Sequence, residues 1–247
     1  MAAAMQRNVP MLRDEFLSVV QANDRDQLLK TIVDFTHQLG FETVSAAVVV
    51  DHFGDAPDTA WIDNTPAAYR ESFEDLGNRR RDPVLRHCKQ SSAPILWNQD
   101  TYAAVGLGEK WEFQAGFGYG TGVALALHLP AGRHFVMGVD RDQALPGDRN
   151  EVTRLVAELQ LFAACAQEPV FRLLASELPE PEVSALTLRE LESLHWTMEG
   201  KTAWEPGNIL GISEQTAARH VNNATQKLGC VNKVQAVVRA LRRGLIQ

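Results

Sequence analysis

Apolar positions along the chain fall into two regimes with a break between them. Up to about residue 174, helical and strand-like periods mix. "RDQLLKTIVDFTHQLG" repeats its apolar residues at helical spacing and closes at Gly40, and "FETVSAAVVV" follows as a β-rich run. "GVALALHLP" alternates Val123, Leu125, Leu127 and Leu129 with small or polar residues, the pattern of a half-buried strand. A "PAG" turn joins it to a second strand, "RHFVMGVDR". Helical spacing also fits residues 11–22, 66–75 and 83–90, and 149–174 reads as one long helix with Val152, Leu155, Val156, Leu159 and Phe162 on one face. Helices on both faces of a mainly antiparallel sheet account for these periods. The stretch "ASELPEPEVSA" (175–185) has no period and holds two prolines and three glutamates, so it reads as a linker.

Beyond the linker every period is helical. Thr187 and Glu190 have capping-box spacing before a helix that turns Leu188, Leu191, Leu194 and Met198 inward and ends at Gly200. Thr202 and Glu205 repeat the device for a short helix ending near Leu210. Gly211 turns the chain, and Ser213 can cap a helix over 214–228. Ala217, Val221, Ala224 and Leu228 form its apolar face; Gln215, Thr216, Arg219, Asn222, Asn223 and Gln226 lie opposite, bordered by His220 and Lys227. Asn232 with Gln235 caps a last helix bearing Val234, Val237, Val238 and Leu241. Four short helices with a tight turn between the second and third predict a helix-turn-helix unit. The predicted class is α+β: an N-terminal α/β/α sandwich over 1–174, the linker, and a four-helix unit over 186–247.

Charge sharpens this division. The chain carries a formal net charge of -7, yet residues 186–247 hold eight Lys/Arg against five Asp/Glu. A small basic unit therefore follows an acidic body, which marks nucleic acid as its partner. The face from Ser213 to Lys227 then reads as the one that enters a DNA groove, with Ser213, Gln215, Thr216, Arg219, His220, Asn223 and Lys227 as DNA-binding candidates. A plain helical bundle with a solvated polar face is the alternative.

Other chemistry is sparse. No apolar run approaches the length of a membrane span, and the first residues lack the pattern of a signal peptide, so a cytoplasmic location without membrane partner is expected. Three scattered cysteines give neither a disulfide framework nor a zinc site, and no metal or cofactor is expected. The glycine-rich "GFGYGTG" (116–122) precedes a strand rather than a helix N-terminus and lacks G-K-[ST], so it reads as a strand entry and not a phosphate loop. There is no G-x-S-x-G, the seven histidines show no ligand spacing, and no catalytic residue is assigned; the chain is not expected to be an enzyme.

Two motif sets resemble a known family. "LTLRELESLHWTMEGKTAWEPGNILGISEQTAARHVNNATQKLGCVNK" is similar to the LuxR-type DNA-binding domain. Pro206-Gly207 stands where that family usually has Ile-Ala, Ala217-Ala218 where Val-Lys is common, and Arg219 replaces a usual aromatic. Upstream, "NTPAAYRESFEDLGNRRRDPVLRHCKQSSAPILWNQDTY" resembles the autoinducer-binding region of LuxR-type regulators, the LasR subgroup most closely. Asp82-Pro83, Trp97 and Gly122 keep the family's spacing. The resemblance implies a sandwich enclosing an N-acyl homoserine lactone or analogue, a homodimer on an inverted repeat of double-stranded DNA, and RNA polymerase as a further partner. It also implies ligand-binding roles for Tyr69, Phe73, Asp82 and Trp97; Tyr102, Trp111, Leu125 and Leu127 can line an apolar tail region.

The physical roles are definable. Asp82 can accept from an amide N–H, and Trp97 offers a flat face to a ring; Asp82 ahead of Pro83 is equally a helix cap, and Trp97 and Trp111 equally core. Tyr69 replaces the family tryptophan that donates to the lactone carbonyl, and Phe73 replaces the tyrosine that meets the amide carbonyl. Thr65 replaces another tyrosine, and Ala124 and Gly138 stand where the subgroup often has hydroxyls. The resulting head-group site is less polar than the family's. Two further readings stay open: a regulator answering to a non-lactone ligand or none, and one impaired in DNA binding that acts through mixed dimers.

Overall fold

The computed structural model describes residues 13–51, 56–72, 81–130, 132–178 and 186–246. Phe73 and residues 179–185 of the expected linker lie outside them. Contacts divide the chain into two compact units, the first running to Leu178 apart from residues 51–56 and 129–133.

The first unit is built on a five-stranded sheet of order β2-β1-β5-β4-β3. Its strands are β1 (Thr43–Val50), β2 (Asp58–Asp63), β3 (Ile95–Trp97), β4 (Thr121–Leu129) and β5 (Arg133–Arg141). β1 pairs antiparallel with β2, Ser45 opposite Asp63, and β3 pairs antiparallel with β4, Trp97 opposite Gly122. Helices α1 (Asp14–Val20), α2 (Arg25–Gln38) and α7 (Arg149–Leu174) cover one face. The other face carries α3 (Ala67–Ser72), α4 (Pro83–Gln90), α5 (Gln99–Ala103) and α6 (Gly108–Ala115).

Strand alternation decides what each face receives. Val123, Leu125, Phe135, Met137 and Val139 point into the core with α1, α2 and α7. There the Phe35 and Phe162 rings stack at 3.9 Å and Phe16 meets Phe35 edge-on at 5.6 Å. Ala124 and Ala126 face the opposite side, where small residues leave space.

The glycine-rich strand entry has a steric cause. A Cβ on Gly120 would lie 2.6 Å from the Asp142 carbonyl oxygen, and one on Gly122 would lie 2.4 Å from that of Val139. The backbone of the β4–β5 hairpin passes too close there for any side chain.

The second unit contains α8 (Leu188–Met198), α9 (Trp204–Leu210), α10 (Glu214–Lys227) and α11 (Lys233–Arg242). Leu194, Ala224, Leu228, Ala236 and Ala240 are its core. One expectation needs correction. Leu188 is 71% exposed, because the helix starts there and its side chain falls outside the inward stripe. On α11 the buried positions are Ala236 and Ala240, while Val234, Val238 and Leu241 are exposed. Alanines allow α11 to pack closely and turn its branched residues outward.

Candidate functional site: a pocket and a helix-turn-helix

Between the sheet and α3–α6 lies a cavity of about 520 Å³. Tyr69, Asp82, Trp97, Tyr102, Ala124 and Gly138 all line it. Leu125 does not, since the strand period sends it into the core on the other face. Trp111 also stands back from the cavity: its indole N–H donates to the Gly120 carbonyl at 2.9 Å and fastens α6 to the strand entry.

Asp82 serves both candidate roles at once. Its Oδ1 accepts from the Val84 and Leu85 amides at 2.9 and 3.0 Å, capping α4 with Pro83 in the first turn. Its Oδ2 accepts from the Lys110 ammonium at 2.6 Å and the Tyr102 hydroxyl at 3.2 Å. A carboxylate has about four acceptor positions, so four donors fill it. A ligand amide reaching Asp82 must displace Lys110 or Tyr102. Lys110 had no local signal in the sequence, being 28 residues from its partner.

Aromatic rings wall the remainder. Tyr69 stacks on Tyr119 at 4.2 Å, and Trp97 meets Tyr102 edge-on at 5.8 Å. Burial pushes the Tyr69 and Tyr102 phenols well above their ordinary range, with the Asp140 and Asp82 charges adding to both. Burial raises Tyr119 as well, and pushes the Cys88 thiol up to about 11. The Tyr119 hydroxyl is buried near the Thr65 and Thr43 hydroxyls and makes no well-formed hydrogen bond among the described residues. A buried polar atom so weakly satisfied is where a ligand's polar atom gains most.

The sequence reading missed Asp140. It lines the cavity from β5, is 9% exposed, and burial, aided by the Asp82 charge against the Thr43 hydroxyl, pushes it up to about 8. Asp140 Oδ1 and Trp97 Nε1 both lie 2.7 Å from where a Gly122 Cβ would sit, so this glycine lets the acid and the indole share the pocket floor. Across from Gly138, the Ser45 hydroxyl of β1 lies 3.5 Å from its ideal Cβ position and returns a hydroxyl to a site that Gly138 leaves bare. Both were findable only once the hairpin register was known.

In the second unit, Thr187 accepts from the Glu190 amide and Glu190 from the Thr187 amide, a reciprocal capping box. The Glu190 carboxylate also takes the Lys227 ammonium at 2.8 Å. Burial pushes Glu190 up, but the Lys227 ion pair and the Thr187 bonds outweigh it and hold the carboxyl below its ordinary value. Lys227 is thus placed in an internal ion pair rather than on an open face. The start of α9 also differs from expectation: Ala203 is the N-cap, and Glu205 accepts from the Thr202 amide and hydroxyl at 3.0 and 3.2 Å.

Pro206 lies in the first turn of α9, where an amide has no intrahelical partner to lose. Gly207 has a positive use. Its carbonyl accepts from the Ile212 amide at 2.8 Å, and a Cβ on it would lie 2.9 Å from the Ile212 carbonyl oxygen. Gly211, at φ 66°, completes the turn. Ser213 then caps α10, accepting from the Thr216 amide at 3.1 Å. Ser213, Gln215 and Arg219 are exposed on α10's outer side, and Thr216, His220 and Asn223 half-buried beside them. Asn222 and Gln226 extend the exposed face.

Two family models match this chain: the autoinducer-binding domain over residues 24–170, and the bacterial regulatory proteins of the luxR family over 184–240. The transcriptional activator protein SolR of Ralstonia nicotianae is 35% identical, with 96% of this chain and 99% of that protein covered. A structure of SdiA in complex with octanoyl-rac-glycerol superposes with a TM-score of 0.76 at 26% identity, covering 94% of each chain. The crystal structure of Escherichia coli SdiA gives 0.77 at the same 26% identity over the whole of both chains. The chain belongs to the LuxR family, as a quorum-sensing transcription regulator with an autoinducer-binding domain ahead of a DNA-binding helix-turn-helix.

Proposed function

We propose that the cavity binds an N-acyl homoserine lactone or a close acyl analogue, and that the liganded chain binds a promoter inverted repeat as a homodimer in the cytoplasm and there meets RNA polymerase. The observation that carries the ligand reading is the cavity of about 520 Å³, with the weakly satisfied Tyr119 hydroxyl buried in its wall. That volume and its mixture of rings and few polar atoms suit a small amphipathic ligand. Tyr69, Asp82, Trp97 and Tyr102 hold the head group in this reading, with Ala124 and Gly138 leaving room for it. The exposed Val234, Val238 and Leu241 of α11 support a dimer, since a second copy would cover the same stripe by two-fold symmetry. Ser213, Gln215, Thr216, Arg219, His220 and Asn223 meet DNA. The domains divide as 1–174 and 186–247 about a linker.

Thermal unfolding of the full chain against acyl homoserine lactones of varied tail length tests the ligand reading. A ligand at about a hundred times its dissociation constant adds roughly 2.7 kcal/mol. A midpoint that rises with tail length is the expected result; a flat panel from folded protein refutes the lactone. A second reading is favoured by one observation: Asp82 is filled by four donors. In that reading the head group is not an amide but a hydroxyl-bearing one, as in the octanoyl-glycerol bound to SdiA. Octanoyl-glycerol in the same panel separates the two.

A further inference from the structure

Gly138 brings no side chain to the pocket wall. Asp140 lies two residues beyond Gly138 on β5, so both face the cavity while Val139 between them faces the core. Its surroundings are one-sided. The Thr43 hydroxyl faces it from β1, Asp82 from the start of α4, and the Tyr69, Tyr102 and Tyr119 phenols from the helical side. Lys110 is bound to Asp82, and the two guanidiniums that line the cavity, Arg25 and Arg70, are paired with Glu177 and Asp63. No Lys, Arg or His pairs with the Asp140 carboxyl among the described residues.

We propose that Asp140 acts as a protonated acid in this pocket, its carboxyl O–H donating to the amide carbonyl of an N-acyl ligand. This rests on the acyl-ligand reading above and assigns the head-group donor within it. The two acids of the pocket then divide the work. Asp82 accepts from four donors, a lysine ammonium among them, whereas Asp140 is buried and pairs with no Lys, Arg or His among the described residues. Environments that separate two carboxyls in this way also assign their roles.

The proposal sets a pH dependence with one sign. Asp140 is raised to about 8, chiefly by burial, so it carries its proton at neutral pH and loses it above. Tyr69, Tyr102 and Tyr119 are raised beyond their ordinary values and Cys88 to about 11, so these groups keep their protons through the same interval. Affinity is therefore level below about pH 8 and falls about tenfold for each pH unit above it.

The test is isothermal titration of the full chain with N-octanoyl cyclopentylamide, whose amide survives alkaline conditions that open a lactone, from about pH 6 to about pH 9.5. Wild-type affinity should hold and then fall on the alkaline side. Asp140→Asn, which keeps an N–H donor, should bind within about threefold of wild type at neutral pH and lose the alkaline decline; Asp140→Ala should bind about tenfold to a hundredfold more weakly. A wild-type affinity that is flat or rises with pH, or an Asp140→Ala protein that binds like wild type, overturns the assignment while leaving the acyl reading in place. No binding at any pH by protein shown folded by circular dichroism overturns both.

Discussion

Each unit of the chain contains a buried carboxylate that caps a helix and holds a lysine, and the two differ in what lies beside that pair. Glu190 caps α8 and takes Lys227; Asp82 caps α4 and takes Lys110. In the helix-turn-helix unit the Glu190 carboxylate is fully engaged by partners from its own unit. In the sheet unit the pair sits beside a cavity, near the weakly satisfied Tyr119 phenol and an acid, Asp140, that pairs with no cation among the described residues. Identical anchoring chemistry thus serves a self-sufficient reader in one unit and an incomplete sensor in the other. The difference teaches that the anchor is structural in both places, and that ligand chemistry resides in the groups the anchor leaves unsatisfied.

Removing the reader's anchor should have the largest effect. Glu190→Ala leaves the Thr187 amide and Lys227 without their partner and should cost the second unit about 2–4 kcal/mol, visible as an earlier calorimetric transition. The Lys227 side chain is 31% exposed and can turn to water, which keeps the loss below that of a fully buried pair.

Next comes Asp140→Asn in the absence of ligand. A folded-state value raised above the unfolded one means stability is full below the unfolded value and is lost as pH rises toward about 8. The asparagine variant should be more stable than wild type by about 2–3 kcal/mol at neutral pH and lack that decline. Glu190 has the opposite sign: its lowered value contributes stability above the unfolded value of about 4.3 that disappears as pH falls. Calorimetry across pH should therefore move the two transitions in opposite directions, the sensor weakening toward base and the reader toward acid. Transitions that move together would dissolve the contrast.

A smaller effect follows from filling the cavity. Ala124→Leu should leave unliganded stability within about 1 kcal/mol while cutting the ligand-induced gain of roughly 2.7 kcal/mol by more than half. The smallest separates reading from anchoring within the second unit. Arg219→Ala should weaken DNA binding by about 1–2 kcal/mol and lower the salt slope by about 0.9, as one lost phosphate contact does. Lys227→Met should leave that slope unchanged, because Lys227 holds Glu190.

Long periodic elements were legible in the sequence. The helix over 149–174, the β4–β5 hairpin and α10 carry enough repeats to set their type and facing. β2, β3, α5 and α6 were not assigned, since three to eight residues hold too few repeats to distinguish a period. At the site, Asp82 and Trp97 were visible through fixed motif spacing. Asp140, Tyr119, Lys110 and Ser45 were not, because their roles arise from contacts between elements distant in sequence. Leu125 shows the complementary error: its apolar character was right for either face, and only strand register sends it to the core.

Gly207 has a consequence for protein engineering. Helix propensity prefers alanine to glycine by up to about 1 kcal/mol, and alanine is the usual family residue at this position, so a consensus-guided stabilisation would choose Gly207→Ala early. In this chain the added methyl would sit 2.9 Å from the Ile212 carbonyl oxygen and 3.1 Å from the Glu214 amide nitrogen. Both neighbours are backbone and cannot swing aside. A repair drawn from family averages would force the entry to α10 outward, trading a gain in local propensity for a displaced reading head.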